Sequence, residues 1–420
     1  MCGICGFNRR DEAVVRRMAE TLRHRGPDQE GYHCEEALSL GHRRLSIIDL
    51  SEHGRQPMTN EDGTLWLVMN GEIYNFAELR AELERKGHRF RSRCDAEVIL
   101  HAYEEHDFEA VHRLRGMFAF ALWDRPRQRL WLVRDRIGIK PLYYCHQNGT
   151  FAFASEIKAL LAHPDVPREL NRQALYDYLG FEFVPAPETM FRGIFKLPAG
   201  HHLVLQDGQV TLRPYWDLRF TPQWSGTYAE AVERERELLE FAVQSHLVSD
   251  VPLGVFLSGG LDSSAVLGLA AASNIARPIE AFTICFDAAH EADYDESAFA
   301  RQTAAKWGVT LHPVHITPQD VADNLAEAVW HIEAPFSNTN GVAKFLMARA
   351  VHQAGFKVAL TGDGGDEFFA GYPGFVQDMI LRRNGHNPSQ TAAALARLKQ
   401  ANPTSQGLLV AHGDEGDLRS

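Results

Sequence analysis

From Val251 onward, short apolar runs alternate with stretches patterned for helix, and few architectures accept that alternation. Residues 254–257, 279–286, 311–316 and 357–360 read as strands, and residues 263–272, 294–307, 319–330 and 341–353 as helices between them. Strands joined through helices pair in parallel, and a parallel sheet buries both faces beneath those helices. The fold expected here is a doubly wound α/β sheet, whose ligands bind at the carboxyl ends of the strands.

Two glycine-rich loops stand at such ends. Leu257-Ser258-Gly259-Gly260-Leu261-Asp262-Ser263-Ser264 leaves an apolar strand and opens a helix. Its glycines let the backbone approach a phosphate, and the helix N-terminus offers free N–H groups with a favourable dipole. The serines add hydroxyl donors, and Asp262 can hold Mg²⁺. The lysine of a GxxxxGK[ST] loop is absent. Thr361-Gly362-Asp363-Gly364-Gly365-Asp366-Glu367-Phe368-Phe369-Ala370-Gly371-Tyr372 follows a second strand. Its three carboxylates suit Mg²⁺ and general acid/base work.

The first half reads differently. Residues 65–69, 117–123, 130–133 and 151–154 are strand-like, and residues 76–86 and 96–106 helix-like. Apolar runs in antiparallel sheets with helices between them imply a layered α+β domain. Asn70-Gly71 is a turn signal after the first of these strands, and Asp95 sits where a helix N-cap belongs. The segment punctuated by Pro185, Pro187, Pro198 and Gly200 reads as an interdomain connection with its own short elements. A long helix is expected over 227–247. The organisation expected is thus 1–170, a connection over 171–226, a second domain over 227–380, and a weakly ordered tail over 381–420 with an Ala-rich helical stretch at 390–400.

Composition narrows the function classes. Apolar residues make up 45% of the 420, enough for sizeable cores, and the net charge of −12 argues against a nucleic-acid partner. No apolar run approaches the roughly 18 residues of a membrane span, and Met1-Cys2-Gly3-Ile4-Cys5-Gly6 lacks the regions of a signal peptide. Six scattered cysteines form no zinc spacing, and Cys2-x-x-Cys5 lacks the strand-to-helix context of a redox motif. A reducing, cytoplasmic setting is expected.

Cys2 carries the sharpest expectation. Removal of Met1 would place its thiol beside a free α-amine, whose pKa of about 7.7–8.0 suits it to take the thiol proton. Arg23-His24-Arg25-Gly26-Pro27-Asp28, Gly41-His42-Arg43-Arg44-Leu45-Ser46-Ile47-Ile48-Asp49, Asn70-Gly71-Glu72-Ile73-Tyr74-Asn75 and Cys94-Asp95-Ala96-Glu97 follow in order behind it. Together they resemble the N-terminal-nucleophile glutaminase domain of the asparagine synthetase family, the class II glutamine amidotransferases. The resemblance implies an αββα sandwich with Cys2 as nucleophile. Arg44 would hold the glutamine carboxylate in a two-pronged fork, within a loop of Leu45, Ser46, Ile47 and Ile48 that also binds glutamine. Glu72 and Asp95 would meet the ammonium, and the Asn70 amide and Gly71 N–H would form the oxyanion hole. Each residue also has an ordinary reading. Arg44 could be a surface arginine, Asp95 a helix cap and Asn70-Gly71 a hairpin turn. Residues 23–25 could be a structural loop or a site wall.

The two later loops resemble the ATP-pyrophosphatase and second synthetase signatures of the same family. By residue match, Leu257, Ser258, Gly259, Gly260, Asp262, Ser263, Thr361, Gly362 and Ile284 would line ATP, although Ile284 could equally be sheet core. Asp262 and Asp366 would share Mg²⁺. Asp363 stands where the family usually has glutamate, as the residue assisting adenylate breakdown. The acid loop Glu333-Ala334-Pro335-Phe336-Ser337-Asn338-Thr339-Asn340 resembles a family loop near the acceptor, or is a capping loop before Gly341. The implied reaction transfers the glutamine amide nitrogen to aspartate through an acyl-adenylate. Alternatives are another carboxylate acceptor, a glutaminase-only chain, or a non-catalytic relative. The motifs end near Tyr372, short of the family continuation that carries a phosphate-contacting lysine; only Lys399 follows. Readings left open are a shortened working enzyme with a different acceptor, a component completed by a second polypeptide, or a truncated or frame-shifted product with glutaminase activity but impaired synthesis; the partners considered are a homodimer or that completing polypeptide.

Overall fold

The structure is a computed structural model that describes residues 1–221, 224–273, 278–286, 296–336, 338–384 and 388–401. The expected helix start at Tyr294, Ser337 of the acid loop and the polar end from Gly413 lie outside these residues.

Twelve strands build the first half: β1 (Gly3–Phe7), β2 (Gln29–Glu35), β3 (Leu38–Arg44), β4 (Met58–Thr59), β5 (Leu65–Ile73), β6 (Gly116–Asp124), β7 (Arg129–Arg134), β8 (Tyr143–Gln147), β9 (Thr150–Ala154), β10 (Ile194–Lys196), β11 (His201–Gln206) and β12 (Gln209–Pro214). They form two antiparallel sheets of six, in the orders β10-β8-β9-β1-β3-β2 and β12-β11-β7-β6-β5-β4. Ile4, Leu40 and Phe153 from the first sheet meet Val68, Ala121 and Leu132 from the second, so the sheets stack face to face. Leu79, Leu83, Val98 and Ile99 cover the outer face of the second sheet from helices Phe76–Arg85 and Glu97–His106. Helices Glu12–Glu20 and Ile157–Leu161 cover the first with Val15, Met18 and Leu160. The result is the expected αββα sandwich. Each large buried side chain, such as Phe153 or Trp131, contributes about 1.5–3 kcal/mol relative to exposure.

The second half is the expected parallel sheet, with β13 (Leu253–Phe256), β14 (Glu280–Phe286), β15 (Thr310–Ile316) and β16 (Val358–Leu360) in the order β15-β14-β13-β16. Every pair among them is parallel. Val243 and Leu247 of the long helix Tyr228–His246 join Leu253, Val255 and Leu267 in its core. Thr227 and Glu230 start that helix with a reciprocal capping box. Among the described residues no helix is long and apolar enough to cross a membrane.

Two expectations are corrected. Asn70-Gly71 is no turn: β5 runs on to Ile73, pairing Asn70 with Ala119 and Gly71 with Phe118. Residues 171–226 are not merely a connection, because β10 extends the first sheet through β8, and β11 and β12 extend the second through β7. The helix Pro388–Ala401 contains the Ala-rich stretch expected at 390–400.

Gly71 shows why the continued strand tolerates no side chain there. A Cβ would lie against the Met117 carbonyl and 2.6 Å from Phe118 Cα. Gly71→Ala is expected to cost about 1–3 kcal/mol in urea melts. Gly374→Ala, in open space within a helix, should cost nothing. Equal stability of the two variants would contradict the close approach.

Candidate functional site

β1 lies between β3 and β9, pairing Gly3 with Arg43 and Cys5 with both Gly41 and Ala154. Residue 2 is therefore held at the end of a central strand rather than on a fraying terminus. The Cys2 carbonyl accepts a hydrogen bond from Arg25 Nε at 2.9 Å, and its Sγ accepts one from the Leu45 N–H at 3.4 Å. Burial pushes the thiol pKa up, while the terminal amine and the Leu45 contact pull it down. With Met1 in place, burial lowers the pKa of the terminal amine to about 5, and Arg25 and Lys140 add to the effect. None of the six cysteines is in a disulfide.

β5 and the segment before helix Glu97–His106 bring a polar cluster into the interior beside this end. Asn70 is fully buried, and neither atom of its side-chain amide finds a hydrogen-bond partner among the described residues. The same holds for Glu72 Oε2 and the Tyr74 hydroxyl. Burial raises the Glu72 pKa, and the charge of Asp95 raises it further. Asp95 is itself pushed up by burial. Two buried carboxylates facing one another call for a proton or a cation between them. Asp95 is not the helix cap expected of it: its Oδ2 accepts the Ile73 N–H at 2.7 Å, tying the helix entry to β5.

Arg44 departs from expectation too. Its Nη1 donates to Gln29 Oε1 at 2.8 Å and to the Ser51 carbonyl at 3.0 Å. Its Nη2 donates to the carbonyls of Ile48 and Asp49 at 3.1 and 2.5 Å. All four terminal protons are engaged, so the two-pronged fork is not available as the side chain stands; it braces the loop from Leu45 to Ser51 instead. Ser46 N–H donates to Asp28 Oδ2 at 2.7 Å, and Asp49 Oδ2 accepts the Arg93 N–H at 2.8 Å.

That loop also touches the second half. Asp250 N–H donates to the Ile47 carbonyl at 2.9 Å, and Asp250 Oδ2 accepts the Asp49 N–H at 2.8 Å. Lys357, just before β16, pairs with Asp28 at 2.6 Å. A longer chain of ions starts at the Cys2 carbonyl. Arg25 pairs with Glu156 at 2.7 Å, Glu156 with Lys158 at 2.6 Å, and Lys158 with Glu333 at 3.0 Å. Glu333 also accepts the N–H groups of Ile157 and Lys158, each at 2.6 Å. His24 joins Glu156 at 3.0 Å and meets the rings of Trp330 and His331 edge-on. Within the segment 23–25, Arg25 touches the Cys2 carbonyl, His24 joins the ion chain and Arg23 stays exposed beside Glu20, while the acid loop begins with a tie between the halves.

In the second half, Gly259 adopts φ +93° and the helix Leu261–Ala272 begins just beyond Gly260. Ser258 and Ser263 share a hydroxyl contact of 3.0 Å, and the Gly260 N–H donates to Ser258 Oγ at 3.1 Å. Leu257 is buried in the core at the foot of this loop. The two signature loops touch: a Cβ on Gly362 would lie 2.7 Å from Ser263 N, and one on Gly365 would strike the Asp262 carboxylate. Burial raises the Asp262 pKa, with Asp366 and Glu367 adding like charge. That crowding of carboxylates fits a divalent cation. Thr361 Oγ1 accepts the Asp363 N–H at 3.2 Å. Ile284 lies in β14, half-buried against the Ile316 cluster.

Several partners had no role assigned from the sequence. Lys344, on the helix Asn340–Gln353, lies 3.5 Å from Asp363 and puts a cation beside that carboxylate. The fold joins Lys140, Glu156, Lys158 and Glu333 to the first site.

Comparisons with known proteins agree with this division. Residues 1–216 match the profile of the glutamine amidotransferase domain, and residues 234–416 that of asparagine synthase, past the motif end at Tyr372. The glutamine-hydrolyzing asparagine synthetase 1 of Bacillus subtilis (strain 168) is 37% identical over 399 residues, covering 93% of this chain and 62% of its own length. The amidase chyE of Penicillium rubens is 36% identical over 412 residues, covering 90% of this chain and 60% of its own. A putative glutamine-hydrolyzing asparagine synthetase 2 of Methanocaldococcus jannaschii is 33% identical over 400 residues, covering 89% of this chain and 76% of its own. The chain thus spans under two thirds of the length of the Bacillus and Penicillium relatives.

The ion chain sets a pH signature. Burial works against ionised Glu156, but the His24 hydrogen bond and the charges of Arg25 and Lys158 outweigh it and bring its pKa down to about 2. A depressed carboxylate stabilises the fold above its unfolded pKa, and that contribution fades as pH falls through the folded value. Glu156→Gln should cost on the order of 2–3 kcal/mol near pH 7. In urea melts the gap to wild type should close between about pH 5 and pH 2. A gap independent of pH would contradict the assignment.

Proposed function

The chain belongs to the family of glutamine-hydrolyzing asparagine synthetases, and on that premise we propose that it moves the amide nitrogen of glutamine onto a carboxylate in two coupled sites. The carrying observation is the buried cluster beside Cys2, where both atoms of the Asn70 amide and Glu72 Oε2 lack the partners that burial demands and the charge of Asp95 bears on Glu72. Free glutamine supplies each of them. Its ammonium enters between Glu72 and Asp95, and its amide oxygen meets the Asn70 side chain and the Gly71 N–H. Its carboxylate is drawn by Arg44 and the loop of Leu45, Ser46, Ile47 and Ile48, through charge rather than a two-pronged fork.

Once Met1 is removed, the α-amine of Cys2 takes the thiol proton and Sγ attacks the amide carbon. The oxyanion is held by Asn70 and Gly71. Collapse breaks the C–N bond, the amine returns its proton to the leaving nitrogen, and ammonia departs. Water then cleaves the γ-glutamyl thioester to glutamate and restores the thiol.

In the second half, ATP lies along Leu257, Ser258, Gly259, Gly260, Ser263, Thr361, Gly362 and Ile284. Asp262 and Asp366 would hold Mg²⁺, which neutralises charge on the pyrophosphate. The acceptor carboxylate displaces pyrophosphate to give an acyl-adenylate. Ammonia then replaces AMP, with Asp363 and its partner Lys344 placed to steady the breakdown. Aspartate is the acceptor that the synthetase relatives' names indicate. The amidase relative favours a second reading, a different carboxylate at the same site.

Cys2→Ala should abolish glutamate release from glutamine while leaving ammonia-supported pyrophosphate release from ATP·Mg and aspartate; equal glutaminase activity in both proteins would discard the nucleophile. Chelation of Mg²⁺ should stop pyrophosphate release and spare glutamate release. Loss of both activities on chelation would contradict the division into two sites. A panel of carboxylates in the pyrophosphate assay decides the acceptor.

A further inference from the structure

We propose a divalent metal site on the outer helical layer of the first half, made by Glu61, His88, His101 and Glu104, with zinc as the ion its chemistry suits. None of the four belongs to the glutamine or nucleotide constellation, so the inference stands apart from the reaction proposed above. One ligand atom from each lies within 4.8 Å of all the others. His101 Nδ1 is 2.9 Å from Glu104 Oε2 and 3.6 Å from Glu61 Oε2, and His88 Nδ1 is 3.3 Å from Glu104 Oε2. A tetrahedral zinc ion with bonds of about 2.0–2.1 Å holds its donors roughly 3.3 Å apart, so the four are already near the required spacing. Two neutral imidazoles and two carboxylates also cancel a double positive charge.

The atoms turned away from the centre are anchored by other residues. His88 Nε2 contacts Glu105 Oε1 at 3.0 Å, Glu104 Oε1 accepts from Asn60 Nδ2 at 2.8 Å, and Glu61 Oε1 accepts the Arg89 N–H at 2.9 Å. A carboxylate behind a ligating imidazole and donors behind ligating carboxylates are how metal ligands are oriented.

His101 is 1% exposed, and it turns Nδ1 toward the oxygens of Glu104 and Glu61 while Nε2 faces Glu97 Oε1 at 3.9 Å. With Nδ1 unprotonated, its lone pair and theirs repel one another, and a cation between them removes that repulsion. Bound there, it would clasp the loop before β5, the turn after helix Phe76–Arg85 and helix Glu97–His106, the element next to Asp95.

The test is zinc binding by the full chain after chelator treatment and desalting, in a Cys2→Ala background that removes the partly exposed thiol. One equivalent of zinc by elemental analysis, a rise in melting temperature, and an intense visible spectrum of tetrahedral type when cobalt replaces zinc would support the site. Glu61→Gln and His88→Gln, at exposed and half-buried positions, should each weaken zinc binding on the order of tenfold or more; His101→Gln should do the same if it folds. Substoichiometric zinc, an octahedral cobalt spectrum, or unchanged binding in Glu61→Gln and His88→Gln would overturn the proposal and leave an ordinary ion-pair cluster.

Discussion

Everything at the first site depends on the first strand being a central one. β1 takes hydrogen bonds from β3 on one side and β9 on the other, so the chain's opening residues lie in a sheet interior. A terminus is ordinarily the first part of a domain to fray. Here the pairing holds residue 2 in register, and Arg25 fixes its carbonyl from the side. The price of that placement is burial of polar groups beside it. Both atoms of the Asn70 amide and Glu72 Oε2 are left without partners among the described residues, and Glu72 and Asp95 hold two carboxylates in the same interior.

The same rigidity links the two halves. The loop that leaves β3 touches Cys2 through Leu45 and the second half through Ile47 and Asp49. Beneath it, Arg25, Glu156, Lys158 and Glu333 form an unbroken line of opposite charges from the Cys2 carbonyl to the acid loop. Such a line is strong where buried, and removing one member strands the others. A two-site transfer of ammonia requires the halves to be held in fixed relation, and these contacts supply that.

Legibility in the sequence followed the range of the interactions. The parallel sheet was readable because its signals are local: an apolar strand, a glycine loop, a helix start. Cys2 and its companion motifs were readable as a resemblance. Asn70-Gly71 was misread because the dipeptide favours a turn in isolation, whereas pairing with Ala119 and Phe118 keeps the strand extended. Asp95 was misread as a cap because its true partner, the Ile73 N–H, comes from another element. β10 and β11 pair with β8 and β7 from far earlier in the chain, so nothing local marked their place in the sheets, whereas β12 pairs with β11 across Asp207-Gly208. Lys344 lies in no motif, and only the fold shows that Glu156 and Glu333 face Lys158 and that Lys344 faces Asp363.

The most direct test of the account is covalent trapping with a glutamine analogue that carries a diazoketone in place of the amide. After removal of Met1, the account predicts a single adduct per chain, located by peptide mass mapping on Cys2, formed faster than with a simple alkylating agent and blocked by free glutamine. An adduct on another cysteine, or a Cys2 adduct that glutamine does not slow, would contradict it.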